Sequence, residues 1–164
     1  MVDEVTIREA TAGDAEAISA LVVSLAPFYL ADPADREAAK PFFDSVSAEM
    51  QRKILTGWGC QCHVAESGGE IVGVLGIRQA THLYHLFVAE TFHGRGIARR
   101  LWRTAKAAAR AAGNPGRFTV YSSLHAVPVY ERFGFRPIGP KVHQHGVAYV
   151  PMVLDEREDG GRSG

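Results

Sequence analysis

The sequence predicts a mixed α/β (α+β) domain, one sheet flanked by helices, and three observations carry that reading. Apolar residues switch along the chain between a period of two and a period of about 3.6. Gly- and Pro-containing turns separate the periodic segments. The length of 164 residues suits a single core and leaves little room for a second domain. The order reads β-α-α-β-β-β-α-β-α-β-β, with the domain over residues 1–154 and a polar tail over residues 155–164. No internal repeat or linker interrupts it.

Each element has its own signal. Val5 to Ala10 is a short strand with polar interruptions. Thr11-Ala-Gly-Asp14 opens a helix in the Ser/Thr-x-x-acid manner, and Ala17, Ile18, Leu21, Val22 and Leu25 follow the helical period up to Pro27. Asp32 to Lys40 is a polar loop, and a second helix covers Asp44 to Leu55 and stops before Gly57. Cys60–Glu66 and Glu70–Gln79 are strands joined by Ser67-Gly68-Gly69, a hairpin turn. A third strand runs from Thr81 to Val88. Gly94 to Ala112 is a helix with Ile97, Leu101, Ala105, Ala108 and Ala112 on one face, ended by Gly113-Asn-Pro-Gly116. Phe118–Ser122 is a strand and Ala126–Phe133 a helix. Phe135–Ile138 and Val147–Leu154 are the last strands, and the polar tail is expected to be disordered.

Charge and cysteine content exclude several classes. Eighteen basic and 18 acidic side chains give zero net charge, against a nucleic-acid coat or an anionic membrane surface as partner. The longest apolar stretch, Leu21 to Ala31, is broken by Ser24 and Pro27 and is too short for a bilayer. Residues 1–8 lack a signal-peptide pattern, and two cysteines make no secreted scaffold, so a reduced, cytoplasmic protein is expected. Cys60-Gln-Cys62-His63 fits neither zinc nor redox spacing, so no metal is expected. The neutrality is nevertheless the sum of opposed blocks. Residues 1–49 hold ten acids against three bases, and residues 93–117 hold seven bases and no acid.

The most informative segment is Leu86 to Leu101, where a strand ends and two glycines, Gly94 and Gly96, open an amphipathic helix. The first N–H groups of a helix lack internal partners, and with the helix dipole they suit a phosphate. Arg99 stands where a dinucleotide fingerprint needs its third Gly, and no G-K-[ST] is present for a P-loop. His93-Gly94-Arg95-Gly96-Ile97-Ala98 resembles the acyl-CoA motif Gln/Arg-x-x-Gly-x-Gly/Ala of the GNAT superfamily of N-acetyltransferases, with His93 in place of Gln/Arg. Ser123-Leu-His-Ala126-Val-Pro-Val-Tyr130-Glu-Arg-Phe-Gly134-Phe135 resembles the family's Asn-x-x-Ala-x-x-x-Tyr-x-x-x-Gly-Phe segment, with Ser123 in place of Asn. The resemblance extends from Val5 to Leu154.

That resemblance implies a mostly antiparallel sheet and acetyl-CoA as acyl donor. It implies pyrophosphate on the 93–98 turn, with Arg95 and Arg99, and Arg100 as a weaker candidate, near the phosphates, against the alternative of a merely solvated basic face. It also implies edge N–H groups at Leu86, Phe87 and Val88, where family members splay this strand from the next. Tyr130 takes the place of the tyrosine that protonates the CoA sulfur. An amine with a pKa of about 10.4 must lose a proton before it attacks. His82 is the candidate base, directly or through water, with a water chain alone as the alternative. Tyr84 is expected on the face of His82 and His85 on the other; His143 and His145 are expected as a solvated pair, with a reach to the acceptor side as the lesser alternative. Tyr29, Phe42, Phe43 and nearby carboxylates are expected to receive a cationic primary amine of a small molecule, or next a peptide or protein amine. The competing reading is a non-catalytic acyl-CoA-binding module. A homodimer is a habit of the family.

Overall fold

Alternation and turn chemistry produce eight strands and six helices among the described residues. The computed structural model describes residues 4–30, 32, 34–57, 59–144 and 146–157. After β1 (Val5–Glu9), a 3-10 turn at Ala12–Asp14 leads into α1 (Ala15–Ser24) and α2 (Ala26–Tyr29). The Thr11 amide donates to Asp14 Oδ2 at 2.8 Å, so the helix start read from Thr11 is the real one. Next come α3 (Lys40–Ser45) and α4 (Ala48–Gly57). The single helix expected over residues 44–55 is therefore two, broken at Val46 and Ser47, and Pro41 sits in the first turn of α3, where its missing N–H costs nothing.

The sheet then builds through β2 (Cys60–Ser67), β3 (Glu70–Arg78) and β4 (His82–Val88). α5 (Ile97–Ala111) follows, then β5 (Arg117–Ser123), α6 (Val127–Phe133), β6 (Arg136–Pro137), β7 (Val142–Gln144) and β8 (Val147–Asp155). Strand order is β1-β2-β3-β4-β5-β8-β6, with β7 also on β8. Every pair is antiparallel except β4–β5. The mostly antiparallel sheet flanked by helices thus stands.

Two apolar layers cover the sheet. On one face Ile97, Leu101, Trp102, Ala105 and Ala109 of α5 pack with Leu75, Leu83, Phe118 and Met152. This stripe differs from the expected one in that Trp102 and Ala109 are buried, while Ala108 is half-buried and Ala112 exposed. On the other face Ile18, Leu21 and Val22 of α1 pack on Cys62, Val64 and Val74. β8 ends one residue beyond Leu154, and Glu156 accepts from Lys106 at 2.9 Å and Arg110 at 3.3 Å. The rest of the expected tail, residues 158–164, lies outside the described residues.

The β7–β8 turn folds onto the α2–α3 connection through Gly146. Its φ is +77°, and a Cβ there would lie 2.7 Å from Ala39 N and 2.8 Å from Ala39 Cα. Gly146→Val therefore combines left-handed strain of about 1–2 kcal/mol with a backbone clash. The expected result is a melting midpoint lowered by about 5 °C or more, read by thermal unfolding. Gly13→Ala, whose Cβ would meet only Thr11 Oγ1 at 3.6 Å, is the control and should leave the midpoint in place.

Candidate active site

β4 and β5 pair only at His82↔Thr119 and Leu83↔Val120. Beyond that point β4 stays with β3 as far as Gly73↔Val88, while β5 stays with β8 as far as Ser123↔Tyr149. The two strands separate, and the β4 edge that faces β5 has no ladder partner from Tyr84 onward. Two cavities fill the opening, of about 520 Å³ and about 200 Å³. Tyr29, Leu86, Phe87, Ser123 and Ala126 line both.

The larger cavity is walled by the turn after β4. Gly94 and Gly96 have φ of +77° and +76°, and a Cβ on either would meet no atom within 4 Å. Only glycine takes that backbone without strain, and it leaves open space beside the first amides of α5. Leu86, Phe87, Val88, His93, Gly94, Gly96, Ile97, Ala98, Arg99 and Ser123 all line this cavity. Arg95 lines neither cavity: its guanidinium lies over the Phe92 ring, 4.8 Å from the centroid. Arg100 turns to β1 and donates to the Val5 carbonyl at 2.8 Å.

The two departures from the family motif have structural roles. His93 Nε2 lies 2.7 Å from the Val88 carbonyl oxygen, a bond in which the ring N–H donates and ties the glycine turn to the end of β4. The Ser123 hydroxyl accepts from the Ala126 amide at 3.2 Å, closing the turn into α6. Sequence reasoning missed Phe28, His125, Val129 and Arg132, which also line the larger cavity. Phe28 packs on His125, with centroids 4.9 Å apart, and nothing in the local pattern shows that α2 and α6 meet there. Arg132 adds a second guanidinium to the cavity that Arg99 also lines, and its helix position was legible while its neighbours were not.

Tyr130 is buried and lines the smaller cavity, with Phe135 edge-on at 5.5 Å. Its hydroxyl has no hydrogen-bond partner among the described residues, and burial pushes its pKa well above the ordinary phenol value. It keeps its proton. His82 lines neither cavity. It sits at the first of the two β4–β5 pairings, with Nδ1 2.8 Å from Thr119 Oγ1 and its ring against Tyr121 at 4.9 Å. Burial, then nearby Arg78, lowers its pKa.

The expectation that His85 faces away from Tyr84 is overturned. Ladder register shifts between Gly76 and Ile77, so Leu83 faces Ile77, His85 faces Gly76, and Tyr84 is the extra residue of a bulge. The Tyr84 ring fills the space above Gly76, where a Cβ would collide with its Cζ and hydroxyl oxygen. Tyr84 and His85 consequently share a face, with ring centroids 4.5 Å apart. His85 Nε2 lies 3.1 Å from Nε2 of Gln51, itself buried on α4, and burial lowers the His85 pKa to about 4.

Among the described residues no Asp or Glu borders either cavity. Asp14 and Glu66 pair with Arg8, Glu16 with Arg52, and Asp44 with Lys40. His143 borders neither cavity and His145 lies outside the described residues. Among the described residues no three His, Cys, Asp or Glu side chains converge as metal ligands, and burial pushes the Cys62 thiol up to about 12. No helix of the described residues is long and apolar enough to cross a membrane.

Residues 30–156 match the sequence profile of an acetyltransferase (GNAT) domain. N-acetyltransferase 8 of Rattus norvegicus is 34% identical over 103 residues, covering 56% of this chain and 46% of its own length. The chain spans about half the length of the curated relatives it matches. A GCN5-related N-acetyltransferase structure from Rhodopseudomonas palustris superposes with a TM-score of 0.74 at 21% identity, over 94% of this chain and 98% of that one. A structure of PaiA N-acetyltransferase from Thermoplasma acidophilum in complex with coenzyme A gives 0.69 at 13% identity, over 91% and 98%. At these identities the structural likeness concerns the fold.

Proposed function

The chain belongs to the GNAT acetyltransferase family, and on that premise we propose that it transfers the acetyl group of acetyl-CoA directly to a primary amine of a small molecule. The observation that carries the reading is the separation of β4 from β5, which joins a large cavity beside the glycine turn to a small one holding Tyr130. Two substrates can meet there without a covalent enzyme intermediate. A peptide amine is the next choice, and the 200 Å³ of the smaller cavity favours the small molecule.

The donor fits the larger cavity on two counts. The glycine turn leaves open space next to unpaired helix amides, and Arg99 and Arg132 bring positive charge to the same wall system. Acetyl-CoA, when bound, supplies the activated acyl group. The β4 edge at Leu86 to Val88, whose Val88 carbonyl is already taken by His93, offers its remaining backbone groups to the acyl carbonyl and the donor's amide arm. Tyr130 holds a proton for the departing sulfur. His82, outside the cavities, receives the amine's proton through water.

Thermal unfolding with and without CoA tests the donor site. Saturating CoA should raise the midpoint by several degrees, since a ligand at about 100 times its Kd adds about 2.7 kcal/mol to the folded state. Thiol release from acetyl-CoA across a panel of amines tests the transfer, and no release with any amine defeats it.

The proposed base carries its own pH signature. A histidine with a lowered pKa is neutral, and so able to accept, at pH values above that lowered value. The plot of log kcat/KM against pH should therefore steepen only below a point under about 6.5. His82→Ala should remove that steepening. A profile identical to wild type would assign the proton to the water chain alone.

A further inference from the structure

Resting on the transfer reading, we propose that the acceptor is a primary amine on a compact arylalkyl or similarly apolar body that carries no carboxylate and no second cation. The smaller cavity is an aromatic box of Tyr29, Phe42, Tyr84, Phe87, Tyr121 and Tyr149. Its rings contact one another: Tyr29 and Phe42 at 5.0 Å, Tyr29 and Phe87 at 5.7 Å, Tyr121 and Tyr149 at 4.9 Å. Among the described residues no Asp, Glu, Lys, Arg or His lines it.

Two hydroxyls of this box are committed elsewhere. Tyr29 donates to the Val22 carbonyl at 2.7 Å and Tyr149 to Gln144 Oε1 at 3.3 Å, while the Tyr84 hydroxyl is buried without an oxygen or nitrogen partner. The hydroxyls of Tyr130, of exposed Tyr121 and of Ser123, whose oxygen already accepts from the Ala126 amide, face the reacting end as neutral groups. An α-carboxylate in the box would be buried with no cation, and the second ammonium of a polyamine would find no carboxylate.

Size agrees with chemistry. A volume of 200 Å³ falls below the about 300–1,000 Å³ of drug-sized pockets, and it suits one ring and a short arm. The walls also act on the amine itself. Ring faces attract the incoming ammonium, and removal from water lowers its pKa toward the neutral, attacking form. A carboxylate-lined pocket would do the opposite and hold the proton on.

The test uses the purified full chain with acetyl-CoA and four acceptors: 2-phenylethylamine, phenylalanine, spermidine and a lysine-containing peptide. Initial rates of thiol release should give 2-phenylethylamine a kcat/KM at least about tenfold above the other three. Tyr121 is 60% exposed, so its replacement does not threaten the fold. Tyr121→Ala with Tyr149→Ala should raise KM for 2-phenylethylamine about tenfold through lost ring contacts. Tyr121→Glu should move the preference toward spermidine. A wild-type preference for phenylalanine, spermidine or the peptide overturns this acceptor class and leaves acetyl transfer standing. No thiol release with any amine, despite stabilisation by CoA, overturns the transfer reading and this inference with it.

Discussion

Tyr130→Phe is expected to lower kcat about 100-fold, the lower end of what a positioned acid contributes, while changing KM for acetyl-CoA by less than about twofold. The substitution removes one oxygen from a side chain otherwise packed by Phe133 and Phe135. That oxygen has no hydrogen-bond partner among the described residues, so the fold loses no bond with it. The melting midpoint should therefore stay within about 1 °C of wild type, which separates a chemical role from a packing role. Burial raises the Tyr130 pKa, so its proton is retained above the ordinary phenol value. The sign follows: kcat should show no loss from Tyr130 ionisation as pH rises to about 10. Thiol release measured across pH, beside thermal unfolding of the same variant, reads all three. Unchanged kcat in Tyr130→Phe would remove Tyr130 from the chemistry.

Gly96→Ala is the second large effect, and it should fall on donor binding. With φ at +76° and open space around the position of a Cβ, the new methyl meets no protein atom. The cost is the left-handed backbone, about 1–2 kcal/mol, and relief of that strain re-aims the amides that begin α5. KM for acetyl-CoA should rise about 10- to 100-fold, and the stabilisation by CoA should shrink with it. Gly113, at the far end of α5, also has a positive φ of +108° and open surroundings. Gly113→Ala should lower the melting midpoint without touching KM. Equal effects of the two variants on KM would mean that Gly96 acts only through the stability of α5.

Legibility in the sequence followed the range of the forces involved. The glycine turn and the start of α5 could be read because positive φ and unpaired amides are properties of a few consecutive residues. β7, three residues long, has too few positions to show a period, and α3 hides behind a proline that its first turn tolerates. The expected face of His85 failed for a different reason. Alternation along β4 is broken at Tyr84 by a bulge whose cause lies across the ladder, at Gly76, where a missing Cβ admits the Tyr84 ring.

The acidic block shows the same limit. Ten acids in the first 49 residues suggested a cation-binding acceptor side. Folding instead pairs several of them with Arg8, Arg52 and Lys40, away from both cavities. Charge counted along a chain does not say where it lies on a surface.

Fold class, the motif-bearing turn and the tyrosine of α6 were therefore available from residue order, because each rests on contacts within one turn or one strand. The split between β4 and β5, the arrival of Phe28 and Arg132 at the larger cavity, and the aromatic box required the folded chain. Those features join residues as far apart as Tyr29 and Tyr149, and packing between distant segments is chosen by complementarity of whole surfaces, which no local period encodes.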